Sequence, residues 1–429
     1  MSEYPKLRQL NMRWAQHEGQ RVLVLQDPLR LNDSSLMVPM LLAPFMGLLD
    51  GLRDLGAIRA GFLLQTGIPL PEGHAESLVQ TLDDALLLEN QRFFAARREA
   101  LQQYRSGPFR APALAVVGYP EDQVELQNLF DEYCRAAVAD AEVVNGNLVG
   151  LITPHIDYHR GWRTYARTWQ LAADAVEEAE LVILLGTDHG AATGTLTLTR
   201  QSYATPWGVL PTDTDLVDRL AEVLGEERAF GEEVHHIGEH SIELAAVWLH
   251  YIAKGKPKRL LPVLCGHHLP ALASLNYGSG NGSSGNGGSG NGDSGDPDSD
   301  SGDFQGLWDA LKLLSEVAAK PGVLVVAAGD VSHVGPAFGD AIPMDHASKA
   351  SVRSTDEQWL EAACSGDSGL LAEHILANGD ATRICGTAPI HHMVTVLQGA
   401  KGRVVDYDQC PADEDFGSLV SIAGALFSA

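Results

Sequence analysis

The sequence predicts an α/β protein with a mixed central sheet that carries helices on both faces. Four apolar runs lack polar alternation, as is typical of strands buried on both faces. These runs are residues 147–153, 180–186, 260–265 and 322–328. Amphipathic helical patterns separate them, most clearly at residues 161–178 and 214–224. Residues 194–200 alternate with period two, which adds antiparallel strands and makes the sheet mixed.

The length and composition bound the domain count and the compartment. A chain of 429 residues is too long for one ordinary core, so we expect two or three domains. The sequence contains no apolar run of transmembrane length and no signal peptide, so we expect no membrane attachment. Its five cysteines are few, odd in number and widely spaced, which argues against a disulfide framework and favours a cytoplasmic protein.

The net charge of −26 is distributed unevenly along the chain. Residues 1–110 carry 12 basic and 12 acidic side chains, whereas the remaining residues carry 18 basic and 44 acidic ones. The larger part of the chain therefore repels phosphate backbones, and we expect no nucleic-acid partner. High solubility is the simplest consequence of the acidic excess.

We interpret residues 1–105 as a small α+β docking module of winged-helix type. The sequence predicts a strand at residues 20–26, helices at roughly 36–55, 54–66 and 73–88, and an Arg-rich amphipathic stretch at 91–105. This part of the chain is electrically neutral and has no basic stripe. Docking to a partner therefore fits it better than DNA binding.

Residues 106–140 are interpreted as a Pro-rich linker followed by a connecting helix. Residues 141–429 then form the second domain. The segment 278–303 within it contains ten glycines and no apolar residue, so it cannot bury enough surface to offset the entropy of ordering. We expect this segment to be a disordered Gly/Asn/Ser insertion between two elements of one domain.

Fourteen of the 16 histidines lie after residue 150, and several directly follow the apolar runs. His155 and His189 each end such a run, and a third run leads into Asp330 and His333. A single histidine at a strand end is commonly a hydrogen-bonded loop residue. Three strand ends that are each followed by such polar side chains predict one shared site, because ligands of open α/β sheets bind outside the carboxyl ends of the strands. Histidine is also the commonest metal ligand.

The residues around these histidines suggest supporting roles. Asp157 is positioned to orient His155 by accepting from its second ring nitrogen. Gly186 allows close backbone approach where its strand ends. The Asp330-x-x-His333 spacing would place both groups on one face of a helical turn, as a carboxylate–imidazole pair for proton transfer or metal binding.

Two helix starts supply further candidates. Pro389 and the apolar spacing after it predict a helix that begins just after Cys385, where a thiol has a lowered pKa and can act as a thiolate ligand. The alternative is a buried structural cysteine. Glu239 and Ser241 have sufficient reason to be present as helix caps, while His240 between them is a candidate for the cleft.

The order of these motifs along the chain resembles the Memo family over about residues 145–429, apart from the insertion. The motifs are Pro-His155, Gly-x-Asp-His189, Glu-His-Ser241, Gly-Asp330-x-x-His333 and Cys385-Gly. The additional N-terminal module and the form Pro-His-Ile-Asp-Tyr-His-Arg-Gly161 resemble the long prokaryotic branch of this family, called AmmeMemoRadiSam system protein B.

The resemblance implies a fold similar to the class III extradiol dioxygenases, which use non-haem iron. It places the metal ligands at His155, His189 and Cys385, with Asp330 and His333 close by, and iron or copper as the metal. It also implies a radical-SAM protein and a small companion protein as partners. The sequence departs from the family pattern at Cys-Gly-Thr387, where arginine is common, and at Ala-Gly-Asp330, where Ser-Ser-Asp is common.

Three functional hypotheses follow. The first is a metal-dependent redox enzyme in which the His/His/Cys set binds one iron or copper ion with coordination positions left open. His333, oriented by Asp330, would move protons, and His240 is a further catalytic candidate. The second is a non-catalytic peptide- or protein-binding module. The third, less favoured, is a zinc hydrolase with Glu239 or Asp330 as its base.

Overall fold

The structure is a computed structural model, and it describes residues 3–32, 35–137, 147–191, 195–266 and 304–429. The chain divides into two compact units, Met1–Gly107 and Pro108–Ala429. The insertion predicted at residues 278–303 lies outside the described residues. Within the described ranges, no helix has the length and apolar character needed to cross a membrane.

The first unit is a three-stranded antiparallel sheet, in the order β1-β2-β3, followed by helices. Its elements are β1 (Asn11–His17), β2 (Gln20–Gln26), β3 (Leu36–Pro39), α1 (Ala43–Met46), α2 (Leu55–Thr66), α3 (His74–Asp84) and α4 (Gln91–Ser106). The helix predicted at residues 36–55 is wrong, because this segment begins as β3 and continues as a short helix. Pro39 and Pro44 cannot donate backbone hydrogen bonds, so no continuous helix spans the segment.

A buried ion pair joins distant parts of the first unit. The Arg8 guanidinium lies 2.5 Å from the Asp27 carboxylate, and both side chains are almost fully buried. Arg8 also donates to the Leu86 carbonyl at 2.5 Å and covers the Phe93 ring at 3.9 Å from its centroid. One arginine thereby ties the N-terminal segment to the turn after β2 and to α4.

The second unit is built around an eight-stranded mixed sheet, which confirms the predicted α/β class. The strands are β4 (Leu148–Thr153), β5 (Leu181–Asp188), β6 (Leu196–Leu198), β7 (Tyr203–Thr205), β8 (Gly208–Leu210), β9 (Arg259–Gly266), β10 (Val323–Ala328), β11 (His333–Val334), β12 (Lys401–Pro411) and β13 (Leu419–Ser428). The sheet order is β11-β13-β4-β10-β5-β9-β6, with β12 paired to β13 and a separate β7-β8 hairpin. The central strands β4, β10, β5 and β9 are parallel, and the outer strands are antiparallel.

Helices cover both faces of this sheet. They are α5 (Gln123–Ala136), α6 (Tyr158–Leu171), α7 (Ala173–Glu178), α8 (Thr214–Leu224), α9 (Glu226–Gly231), α10 (His235–Gly238), α11 (Ser241–Ile252), α12 (Gln305–Ala318), α13 (His346–Cys364), α14 (Ser368–Asn378) and α15 (Thr387–Leu397). Along β5, Val182 and Leu184 pack into one apolar cluster with α5, α6 and α11. Ile183 and Leu185 point the other way, into a cluster with α8, α12 and α15. This alternation explains why the strand sequence is apolar at every position.

The segment interpreted as a linker and connecting helix, residues 106–140, contributes buried groups to the second unit. Phe130 of α5 is fully buried and stacks on Trp248 of α11 with ring centroids 4.0 Å apart. Arg110 is also buried, and its backbone donates to Ser202 and accepts from Ala204. Residues 110–119 of this segment, called the strap below, include the buried side chains of Arg110 and Tyr119.

Candidate metal centre

Three adjacent parallel strands, in the order β4-β10-β5, end at the same edge of the sheet. His155 lies two residues beyond β4, Asp330 two residues beyond β10, and His189 directly beyond β5. Because the carboxyl ends of neighbouring parallel strands meet, residues that are far apart in sequence converge there. Gly186 near the end of β5 lets α11 approach, since a Cβ at this position would lie 2.6 Å from the Ser241 hydroxyl.

The structure brings His155, His189 and Cys385 together. Each offers a ligand atom, and these atoms all lie within 4.8 Å of one another. His155 Nε2 is 3.2 Å from the Cys385 Sγ, and the two imidazole centroids are 5.0 Å apart. Cys385 comes directly before the start of α15, whose N-cap is Gly386. The cluster can therefore offer two imidazole nitrogens and one thiolate to a metal ion.

The orientation of His155 is fixed by the strand next to its own. Its Nδ1 lies 3.2 Å from the Ala328 carbonyl, so Nδ1–H donates there and Nε2 is left for the cluster. Burial lowers the pKa of His155, although the Cys385 thiolate opposes this shift. The prediction that Asp157 orients His155 is wrong. Asp157 accepts from the Arg160 backbone and caps α6, because a helix start has free N–H groups.

His189 is held by a carboxylate from another element. Its Nδ1 lies 3.0 and 3.2 Å from the two oxygens of Glu239, and its backbone N–H donates to the same carboxylate at 3.1 Å. Loss of hydration disfavours the charged ring, but Glu239 and Cys385 outweigh it and raise the pKa of His189 well above its usual value. A carboxylate behind an imidazole is the usual support of a metal-binding histidine.

Glu239 has a larger role than the sequence suggested. As expected of a cap, it accepts from the backbone N–H groups of His240 and Ser241, at 2.7 and 3.0 Å. The same carboxylate also binds His189 and lies 3.1 Å from His240 Nδ1. Burial opposes its ionisation, but these two histidines hold the pKa of Glu239 well below its usual value. The sequence signal was a glutamate directly before a histidine at a helix start.

His240 lies beside His189, and these two imidazoles form the exposed side of the cluster. Its ring stacks on His189, with centroids 4.9 Å apart and planes 14° apart, and its centroid is 5.2 Å from that of His155. The His240 side chain is 36% exposed, whereas that of His155 is almost fully buried. His189, Glu239 and His240 form a second compact group of possible ligands, but it shares His189 and belongs to the same centre.

Asp330 directs its carboxylate to the His155 segment. It accepts from the backbone N–H groups of His155 and Ile156 at 2.8 and 3.2 Å, and it lies 3.8 Å from His155 Nε2. Burial raises the pKa of Asp330, partly offset by His333 and by these N–H groups. Asp330 thereby fixes the backbone that carries the first histidine of the cluster.

His333 is close to the site but is held differently from the prediction. The Asp330–His333 segment is not a helical turn, because the Val331 N–H pairs with Ser421 of β13 and His333 begins β11. His333 Nδ1 lies 3.1 Å from the carbonyls of Val331 and Arg383. Burial lowers the pKa of His333, against the opposing charge of Asp330.

Cys385 differs from the other four cysteines in its ionisation. Burial opposes its thiolate, but His155 and His189 lower the pKa of Cys385. In contrast, burial raises the pKa of Cys364 and of Cys410 to about 12 and also raises those of Cys134 and Cys265. The cysteine chosen from the sequence is therefore the one whose surroundings favour a thiolate.

Gly329, where the sequence departs from the family pattern, packs closely against the backbone of the loop that carries Cys385. A Cβ on Gly329 would lie 2.4 Å from the Cα of Gly386, the residue after Cys385. The end of β10 and the loop that carries the cysteine therefore touch through two glycines. Within this arrangement, the glycine of Ala-Gly-Asp330 leaves room for the cysteine loop to approach the two histidines.

Comparisons with known proteins identify the family of this chain. The family model described as "Memo-like protein" matches residues 110–275 and 307–426. A MEMO1 family protein from Aquifex aeolicus is 25% identical over 94% of this chain and 95% of its own length. A MEMO1 family protein from Thermus thermophilus is 24% identical over 82% of this chain and 93% of its own length. The chain belongs to the Memo-like family, as its motif order predicted.

Proposed function

We propose that this chain binds one redox-active metal ion, iron or copper, through His155, His189 and Cys385, and that it has a metal-dependent redox or oxygenase-like role. The support comes from the way the ligands are held. The Nδ1 atom of each histidine faces a protein acceptor, the Ala328 carbonyl or the Glu239 carboxylate. That arrangement leaves Nε2 of both rings for a metal.

The donor set indicates the kind of metal. Thiolate and imidazole are softer than the oxygen ligands that magnesium and calcium prefer, and they suit iron, copper or zinc. A bound iron or copper ion would supply one-electron redox chemistry at this edge of the sheet. With three protein ligands, such an ion retains room for a further ligand from outside.

The remaining residues would hold the donors and manage protons. Asp330 fixes the backbone of His155, and Glu239 fixes the ring of His189. His240 is a partly exposed imidazole that is not one of the three proposed ligands, so it is well placed to exchange a proton with solvent. His333 is a second candidate for proton transfer. The buried side of the centre is closed by the ends of the parallel strands.

The zinc hydrolase alternative is supported less well. A hydrolase of that kind needs a carboxylate free to act as general base. Glu239 already binds His189 and the start of α11, and Asp330 already binds the His155 backbone. Both candidate bases therefore have structural tasks in this fold.

Finer assignments rest on the family resemblance. We propose a fold similar to the class III extradiol dioxygenases, a winged-helix-like docking role for the first unit, and a radical-SAM protein with a small companion as partners. Affinity purification of the full chain co-expressed with the radical-SAM protein tests the partnership. A stable complex is expected, and its absence at micromolar concentrations of both proteins contradicts this part of the proposal.

Metal analysis of protein purified without added metal tests the central proposal. We expect about one equivalent of iron or copper in the wild type and loss of that metal in Cys385→Ser, because one donor is replaced by a poor one. Cys364→Ser is the matched control and should retain the metal, since Cys364 has a raised pKa and lies in α13. An empty site after growth with sufficient iron and copper contradicts the proposal, and zinc alone favours the hydrolase.

A further inference from the structure

A second buried ion pair lies directly behind the candidate metal centre. Arg110 and Glu243 have side chains that are each 1% exposed, and the guanidinium NH1 donates to the Glu243 carboxylate. Arg110 lies at the start of the second unit, whereas Glu243 lies in the first turn of α11. Two residues 133 positions apart in sequence are therefore joined beneath the segment that contains Glu239.

The remaining donors of the Arg110 guanidinium bind backbone carbonyls at the C-terminal end of α10. Its Nε donates to the His236 carbonyl at 2.9 Å, and its NH2 donates to the Glu239 carbonyl at 2.8 Å. Glu239 is the C-cap of α10, so these are carbonyls at a helix end, where intrahelical donors are lacking. The planar guanidinium thereby fixes the break between α10 and α11 through three groups at once.

Glu243 completes this arrangement from the opposite side. Besides Arg110, its carboxylate accepts from the backbone N–H groups of Ala113 and Leu114 at 2.8 and 2.9 Å, and from the Tyr119 hydroxyl at 2.6 Å. These interactions hold the pKa of Glu243 below its usual value despite burial, which opposes ionisation. The strap that begins at Arg110 is thus anchored on the first turn of α11.

We propose that Arg110 is a positioning residue of the metal centre, acting through Glu239 on His189. Replacing a buried ion pair with apolar groups is often neutral for stability, because desolvation offsets the attraction. The fixed geometry is therefore the more informative feature of the pair. Arg110 holds the backbone of Glu239, and the Glu239 carboxylate holds the ring and the backbone of His189. This inference rests on the proposed metal centre.

Co²⁺ titration of the full chain, followed by the absorbance of the cysteine–cobalt bond, tests this inference. We expect Arg110→Met to weaken Co²⁺ binding roughly 10- to 100-fold, the range seen when a group supporting a metal ligand is removed. Because Arg110→Met leaves Glu243 buried without its cation, the double variant Arg110→Met/Glu243→Gln provides a folded alternative. We expect the double variant to regain thermal stability but to bind Co²⁺ as weakly as the single variant.

A control separates positioning from general destabilisation. Phe130→Leu removes a ring that stacks on Trp248 and should lower the melting temperature of the same unit without changing the Co²⁺ dissociation constant. Wild-type affinity in the double variant overturns the inference, as does an equal loss of affinity in Phe130→Leu. If the wild type binds no Co²⁺, iron or copper, the proposed metal centre itself fails, and the inference fails with it.

Discussion

Two groups of imidazoles in the second unit, one at the sheet edge and one on α15, differ in how their ring nitrogens are held. At the sheet edge, His155 and His189 each direct Nδ1 to an acceptor and Nε2 to a shared cluster. On α15, burial lowers the pKa of His391 to about 4 and that of His392 to about 3. Among the described residues, Nδ1 of His392 has no hydrogen-bond partner. Burial lowers the pKa of the two imidazoles on α15, whereas the Ala328 carbonyl and the Glu239 carboxylate orient the two edge imidazoles for the proposed metal ion.

Removing an imidazole from each group should give the largest contrast. His155→Ala deletes a proposed ligand whose Nε2 lies 3.2 Å from the Cys385 thiol, so metal affinity should fall by more than about 100-fold, beyond the effect of losing a supporting group. His392→Leu removes an equally buried ring from α15 and should leave affinity unchanged. Metal content by mass spectrometry and Co²⁺ titration measure both effects. Retention of the metal by His155→Ala would show that the edge cluster is not the binding site.

The next effect concerns the acceptors that orient the rings. Glu239→Gln keeps the shape of the side chain but removes the charge that faces His189 Nδ1, so metal affinity should fall roughly 10- to 100-fold. Glu232→Gln is the matched control, because Glu232 lies 2.8 Å from the imidazole of His235, which is outside the cluster. The control should bind metal with nearly wild-type affinity. Equal losses in both variants would contradict a specific role for Glu239.

The sequence predicted those parts of the site that depend on local pattern. His155, His189 and Asp330 each follow an apolar strand, and strand ends are visible from runs of a few residues. Parallel pairing then brings such ends together at one edge. Cys385 was found in the same way, from the helix start that follows it.

The sequence patterns do not predict contacts between residues that lie far apart in the chain. Arg110 and Glu243 lie 133 residues apart, and neither local sequence has a signal for the other. Proximity in sequence predicts that Asp157 orients His155, but in the structure the Asp157 carboxylate caps α6. The sequence predicts a helix where the structure has β3, because an apolar run broken by prolines fits either a helix or a strand. Glu239 was explained by capping alone, since its contact with His189 depends on tertiary packing.

The smallest effect is a difference in the pH dependence of stability. The folded state keeps His392 neutral down to a pKa of about 3, while the unfolded chain binds a proton near pH 6.5. The unfolded state therefore binds more protons below pH 6.5, and stability is lost as the pH falls towards 3. Between pH 7 and pH 5 this one residue should cost about 2 kcal/mol.

His392→Leu should remove that cost, so its free energy of unfolding should fall about 2 kcal/mol less than that of the wild type over the same pH range. Urea unfolding followed by tryptophan fluorescence measures it, because six of the seven tryptophans lie in the second unit. The variant should also match or exceed wild-type stability at pH 7, since it removes a buried polar atom without a partner. If the free energies of unfolding of wild type and variant change equally with pH, His392 binds protons equally in the folded and unfolded states. That result would contradict the distinction between core and edge imidazoles.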